Sequence, residues 1–130
     1  MYAIERKPYG YRLTFSGFMQ IEEMEQWLID SKAVLASSPA AFGVFVDMRA
    51  MKPLPEGAQV SINFGQRVYK ESGMQRSVLV YDHPMIQVQL QRISTESDIE
   101  ANERYISARE RADWEAAGLA WITEGIEPGE

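Results

Sequence analysis

Two short polar clusters have the residue types for chemistry, and each closes an apolar run. Asp47 and Arg49 end the stretch Phe42-Gly43-Val44-Phe45-Val46-Asp47-Met48-Arg49, and Tyr81-Asp82-His83 follows Ser77-Val78-Leu79-Val80. A guanidinium is a fork donor for carboxylate or phosphate, and an imidazole exchanges protons near neutral pH. Brought together at the carboxyl ends of neighbouring strands, these groups would form a small polar site for an anion or a carbonyl-bearing ligand, with Tyr105 and Ser107 at the next strand. The same set would permit acid–base catalysis by His83 with Asp47 or Asp82 while Arg49 holds an anionic substrate. The structural alternative is that Asp47 pairs with Arg49 or caps the loop, and that Asp82 is the N-cap of a helix begun by Pro84.

Other chemistries find less footing. His83 is the only histidine, and the paired acids Glu22-Glu23 and Glu124 with Glu127 fall on a solvated helix face or in the tail, so no metal or other cofactor is expected. Ser107, His83 and Asp47 are the members available for a nucleophilic relay, but no Gly-x-Ser-x-Gly elbow surrounds any serine. A phosphate-cradling glycine loop is missing too. The chain has no cysteine, which excludes disulfides and thiolate sites and suits a reducing cytoplasm. A net charge of −6, with no cluster of Lys and Arg, speaks against nucleic acid and anionic membrane surfaces as partners. The opening Met1-Tyr2-Ala3-Ile4-Glu5-Arg6-Lys7 lacks the apolar stretch of a signal peptide, and no run is long enough to span a bilayer. A single cytoplasmic domain over residues 1–130 is the expectation.

Strands and helices must carry those groups. Residues 42–48 read as a central strand buried on both faces, because both sides of its pleat are apolar or glycine. Upstream, residues 2–7 and 11–16 flank Pro8-Tyr9-Gly10 with the spacing of a hairpin. Ile21, Met24, Leu28 and Leu35, beside Trp27 and Val34, recur at helical spacing to about residue 36, where Ser37-Ser38-Pro39 stops the helix. Residues 49–57 read as a loop around Pro53 and Pro55, and Pro55 opens a helix to about residue 71. Ala58, Ile62 and Tyr69 lie along one side of that helix and Val60, Phe64 and Val68 along the adjoining one, a broad apolar face.

Residues 77–81 are a second buried strand, and a third helix carries Ile86, Leu90 and Ile93 to about residues 95–97. Residues 98–102 are polar and loop-like, and residues 103–107 alternate poorly, as an edge strand does. A last helix begins at Ala108, with Ala112, Ala116, Leu119 and Ala120 at helical spacing beside Trp114, Ala117 and Trp121, and Gly125 closes it before an acidic tail at 126–130. The order β-β-α-β-α-β-α-β-α implies an α/β domain with a mainly parallel five-stranded sheet preceded by one antiparallel hairpin strand. Met48, Met51, Leu54 and Met74 cluster around loops at strand ends; most such residues are core or gap filler, while an exposed apolar loop at residues 48–54 would serve a contact.

That order, together with Phe42-Gly43-Val44-Phe45-Val46-Asp47-Met48-Arg49, Tyr69-Lys70-Glu71-Ser72-Gly73-Met74-Gln75-Arg76, Glu103-Arg104-Tyr105 and Asp113-Trp114-Glu115-Ala116-Ala117 with Trp121-Ile122, resembles the SpoIIAA-like family of small bacterial proteins. The resemblance covers nearly the whole chain and implies a STAS-type fold. It implies a non-enzymatic binding or regulatory module, contacting a protein partner, a second copy of itself as a dimer, or a small apolar or anionic ligand such as a lipid. In signalling STAS domains a serine after the strand matching residues 42–47 is phosphorylated. Here residues 49–57 contain no serine or threonine, and the nearest hydroxyl, Ser61, lies inside the helix, so that switch is not expected.

Overall fold

Pro8-Tyr9 and a glycine at φ 146° turn the chain back on itself, so β1 (Tyr2–Lys7) pairs antiparallel with β2 (Gly10–Gly17) in the computed structural model, which describes residues 1–129. The remaining strands, β3 (Phe42–Met51), β4 (Met74–Tyr81) and β5 (Glu103–Ser107), follow α1 (Ile21–Leu35), α2 (Glu56–Glu71) and α3 (Pro84–Glu96), and α4 (Trp114–Glu124) comes last. The domain is α/β, with one five-stranded sheet in the order β1-β2-β3-β4-β5. The sheet is mixed. β1 is antiparallel to β2, whereas β2–β3, β3–β4 and β4–β5 are parallel pairs. This corrects the mainly parallel sheet in a plain β-β-α-β-α-β-α-β-α order: the antiparallel β1 is an edge of the same sheet, and a 3-10 turn (Glu100–Asn102) stands between α3 and β5.

Three successive parallel crossovers that step in one direction place their helices on one face, because such crossovers share a hand. α1, α2 and α3 accordingly pack Met24, Trp27, Ala58, Ile62, Ile86 and Leu90 against Leu13, Val44, Val46 and Leu79 in one core. Gly65 lets α2 close on α1, since the Trp27 ring occupies the space a β-carbon there would need. The opposite face holds a smaller core of Phe45, Val78, Val80 and Ile106 under α4, through Trp121 and Ile122. The Trp121 indole donates to the Ser77 carbonyl at 2.9 Å, pinning α4 across β4. Residues 42–48 are buried throughout.

Several boundaries move. β3 runs on to Met51 where a loop was expected, and its register against β2 slips, Thr14 facing Asp47 but Ser16 facing Ala50. The extra β3 residue is a bulge that resets the alternation. Met48 and Met51 therefore both turn into the helix-side core. β4 begins at Met74, three residues before Ser77. α4 begins at Trp114 and not at Ala108, because the Ala108 amide donates to the Tyr81 carbonyl and continues the sheet edge. Its buried positions are Gly118, Trp121 and Ile122, while Ala112 and Ala116 are exposed. On α2 the expected broad face divides: Ala58, Ile62 and Tyr69 are buried, Val60 and Phe64 are not. Of the acidic tail, Glu130 lies outside the described residues. Among the described residues, no helix is long and apolar enough to cross a membrane.

Candidate functional site

The strand-end groups do not form one site. Asp47 points to the α4 face and is almost wholly buried. Its Oδ1 accepts from the Arg49 amide at 3.1 Å and from Arg49 Nε at 2.9 Å, and its Oδ2 from Arg49 Nη2 at 2.8 Å and Arg12 Nη2 at 3.3 Å. Arg12 turns its other nitrogen to Glu115 at 2.9 Å. The two guanidiniums lie over aromatic faces, Arg12 over Phe45 and Arg49 over Trp114. Burial raises the Asp47 pKa, but the hydrogen bonds and charges of Arg49, with the Arg12 charge, outweigh it and hold the carboxyl below its ordinary value. This is a closed ion-pair network.

Tyr81, by contrast, faces the helix-side core, and its hydroxyl donates to Gln87 at 2.7 Å. Asp82 pairs with the exposed Arg109 at 2.9 Å. His83, exposed on the surface, is the N-cap of α3, its Nδ1 accepting from the Met85 amide at 3.1 Å, so the capping role expected of Asp82 belongs to the next residue. Among the described residues no hydrogen bond joins Asp47 or Arg49 to Tyr81, Asp82 or His83, and none links Ser107, His83 and Asp47 into a relay. Ser107 Oγ instead accepts from the Glu110 amide. Among the described residues no group of His, Cys, Asp and Glu could hold a metal ion.

The expected exposed loop also changes character. Met48, Met51 and Leu54 are buried, and the Leu54 backbone is clamped by one side chain: its amide donates to Gln89 Oε1 at 2.9 Å and its carbonyl accepts from Gln89 Nε2 at 3.1 Å. These residues are core, and the exposed apolar surface lies one element further on, at Val60 and Phe64 of α2.

A polar cluster that the sequence reading left as a weak edge strand gathers at the opposite end of β4 and β5. Glu103 is buried, and its carboxylate accepts from Ser77 Oγ at 3.2 Å, from Tyr105 at 2.7 Å and from Ser94 Oγ. Burial pushes its pKa up against the opposing effect of those donors. Beside it lies an apolar cavity of about 40 Å³ between the sheet and α1 to α3, whose wall includes Val44, Leu79, Leu90, Met74, Ser77 and Ile99. Met74, Ser77 and Ile99 are shared with a second cavity of about 50 Å³, lined also by Lys70, Arg76, Asp98 and Asn102. Arg76 borders that cavity too, but its guanidinium lies on the α4 face, near the Trp121 ring and Gly125, and its Nε is buried without a hydrogen-bond partner among the described residues. The signal available in sequence was the alternation of Glu103 and Tyr105 against Arg104 and Ile106, which sets an acid on the helix side of the sheet.

Comparison with known protein families finds no family model that matches the chain, and comparison with curated proteins finds no match.

Proposed function

We propose that the chain is a non-enzymatic binding module of SpoIIAA-like type, and that two copies pair through the outer face of α2. One observation carries the pairing: Val60 and Phe64, one turn apart on α2, are 56% and 57% exposed. Ile21 of α1, itself partly exposed, packs on Gly57 beside them, its Cδ1 only 2.6 Å from where a β-carbon would stand. Burying a Val or Phe side chain contributes about 1.5–3 kcal/mol, which the lone protomer forgoes here.

A second copy is the occupant because the charges beside the stripe complement themselves. With α2 laid antiparallel on α2 about a two-fold axis, Val60 of each copy meets Phe64 of the other. Glu56, in the first turn, then comes opposite Arg67 near the other end, and the helix dipoles oppose. Support for the SpoIIAA-like type is the element order and the residue runs quoted above. Support for a non-enzymatic role is that the acid–base groups are spent separately, His83 as a cap and Asp47 in an ion-pair network.

Sedimentation equilibrium tests the pairing. The native chain is expected to be dimeric with a melting midpoint that rises with concentration, and Phe64→Glu monomeric with a concentration-independent midpoint matching that of the dilute native chain, since the ring buries little within its own protomer. Arg67→Glu should weaken the dimer, and adding Glu56→Arg should restore it. A native chain that stays monomeric up to its solubility limit overturns the reading.

A further inference from the structure

We propose that the cavity between the sheet and α1 to α3 binds a short primary alkylamine, its ammonium group against the Glu103 carboxylate and its alkyl end among Val44, Leu79 and Leu90. Two acids are buried among the described residues, and they differ in their partners. Asp47 is held by the guanidiniums of Arg12 and Arg49, whereas the Glu103 carboxylate meets only the hydroxyls of Ser77, Ser94 and Tyr105. The nearest cations in the chain are turned elsewhere. Arg104, the next residue, and Arg76 both carry their guanidiniums on the α4 face beside Trp121, and Lys70 is engaged by Asp98. A buried carboxylate without a counter-charge is stabilised most by a cation, and Glu103 has an apolar cavity beside it in which a cation from outside can lodge.

The hydrogen bonds of Glu103 leave room for that cation. A carboxylate has about four acceptor positions, two on each oxygen. Glu103 Oε2 accepts from Ser94 and Tyr105, and Oε1 from Ser77 alone, so one position on Oε1 is left. An ammonium group brings further N–H donors, and the same wall carries the Ser77 hydroxyl oxygen and the Gln66 amide oxygen, which accepts from Ser97. Glu103 has already lost its water on folding, so binding desolvates only the charge of the ligand. A carboxylate ligand would meet Glu103 as a like charge, and a neutral alcohol would leave it without a counter-charge.

Size restricts the ligand further. One water-sized group needs about 10–15 Å³ of such space, so a cavity of about 40 Å³ takes roughly three or four heavy atoms, the size of ethylamine or propylamine. Met74, Ser77 and Ile99 are shared with the outer cavity, which exposed Lys70, Gln75, Asp98 and Asn102 also line, so entry is from that side. Met74, half-buried and flexible, is the side chain that yields. The pairing of Lys70 with Asp98 at 3.0 Å leaves that entrance without an uncompensated positive charge to repel an amine.

The site does not depend on the pairing of copies through α2, and the native chain and Phe64→Glu are expected to bind alike. Titration with propylammonium chloride at neutral pH, followed by NMR, should give saturable amide shifts at Leu79, Leu90, Ile99 and Glu103 and ligand Overhauser contacts to the Leu79 and Leu90 methyl groups. Glu103→Gln keeps the shape of the side chain and should weaken the apparent affinity about tenfold, its melting midpoint showing that it is folded. On the native chain, propanol, a tail without a charge, propionate, a tail with the opposite charge, and ammonium chloride, a charge without a tail, should each bind more weakly than propylammonium. That comparison decides the question even if the variant does not fold. No saturable shift with propylammonium, equal binding by folded Glu103→Gln, or propanol or propionate binding as tightly would each overturn the proposal.

Discussion

The carboxyl and amino ends of the sheet treat their charges in opposite ways. At the carboxyl end Asp47 is enclosed by Arg49 and Arg12, Asp82 pairs with Arg109 on the surface, and the one lone pair of His83 that matters to α3 is taken by a backbone amide. At the amino end a guanidinium nitrogen is buried without an acceptor among the described residues, and a carboxyl group is buried against a small apolar cavity. Open α/β sheets usually bind ligands outside the carboxyl ends, at the point where strand order reverses and two crossovers part. Here the order is sequential from β1 to β5 and the first three helices share a face, so no such crevice opens. Polar groups at that rim hold the fold together, and the unspent hydrogen-bonding capacity lies at the other end.

Breaking the carboxyl-end network should be the costliest change. Asp47→Asn removes the acid that two guanidiniums share and leaves Arg12, whose side chain is only 18% exposed, facing an amide. A fully buried pair broken in this way costs about 3–5 kcal/mol, and partial exposure of Arg49 reduces that to about 2–3 kcal/mol at neutral pH, measurable by urea unfolding. The pH dependence has a definite sign. Asp47 is held below its ordinary pKa, so its contribution is present above the unfolded value, about 4, and is lost as pH falls through the folded value. The gap between native and variant should therefore shrink toward low pH. A gap that stays constant from neutral to acid conditions would mean that the ion pairs are not its source.

Glu103 sharpens the contrast because its sign is reversed. Burial raises its pKa, so the stability it contributes is complete below the unfolded value, about 4.3, and declines as pH rises through the folded value. Glu103→Gln keeps the shape and stays neutral. The native chain should lose stability relative to this variant on going from acid to neutral pH, with Ser77, Ser94 and Tyr105 supplying the opposing donors that limit the loss. Paired unfolding curves across that range check it, and parallel pH profiles for the two proteins would refute it.

Much of the fold was legible in the sequence, and the failures have physical causes. The central strand stood out because residues 42–48 are apolar on both sides of the pleat, as a strand covered on both faces must be. Periodicity could not separate Val60 and Phe64 from Ala58 and Ile62, since both sets recur at helical spacing and only the placing of α1 and α3 decides which is covered. Met48, Met51 and Leu54 looked like an exposed loop because two prolines follow, while the bulge that turns both methionines inward has no marker in the residues themselves. Arg76 and Glu103 are ordinary charged residues near strand starts, and what distinguishes them is burial, which arises from neighbours distant in sequence. Strand order is equally silent, so the carboxyl ends drew attention that a sequential sheet does not justify.

The smallest effect expected is at His83, and it decides whether the one histidine has any part beyond ending a turn. Pro84 at the first position of α3 has no amide hydrogen, so the Met85 and Ile86 amides are the first that need acceptors, and they find the His83 ring and carbonyl. His83→Ala should cost about 0.5–1 kcal/mol, the usual loss for an N-cap. His83→Asp should recover it, because a carboxylate at that position accepts the same amide and meets the positive end of the helix dipole. Chemical unfolding of the three proteins measures both steps. If Asp fails to rescue what Ala removes, the imidazole is held there for something other than its lone pair.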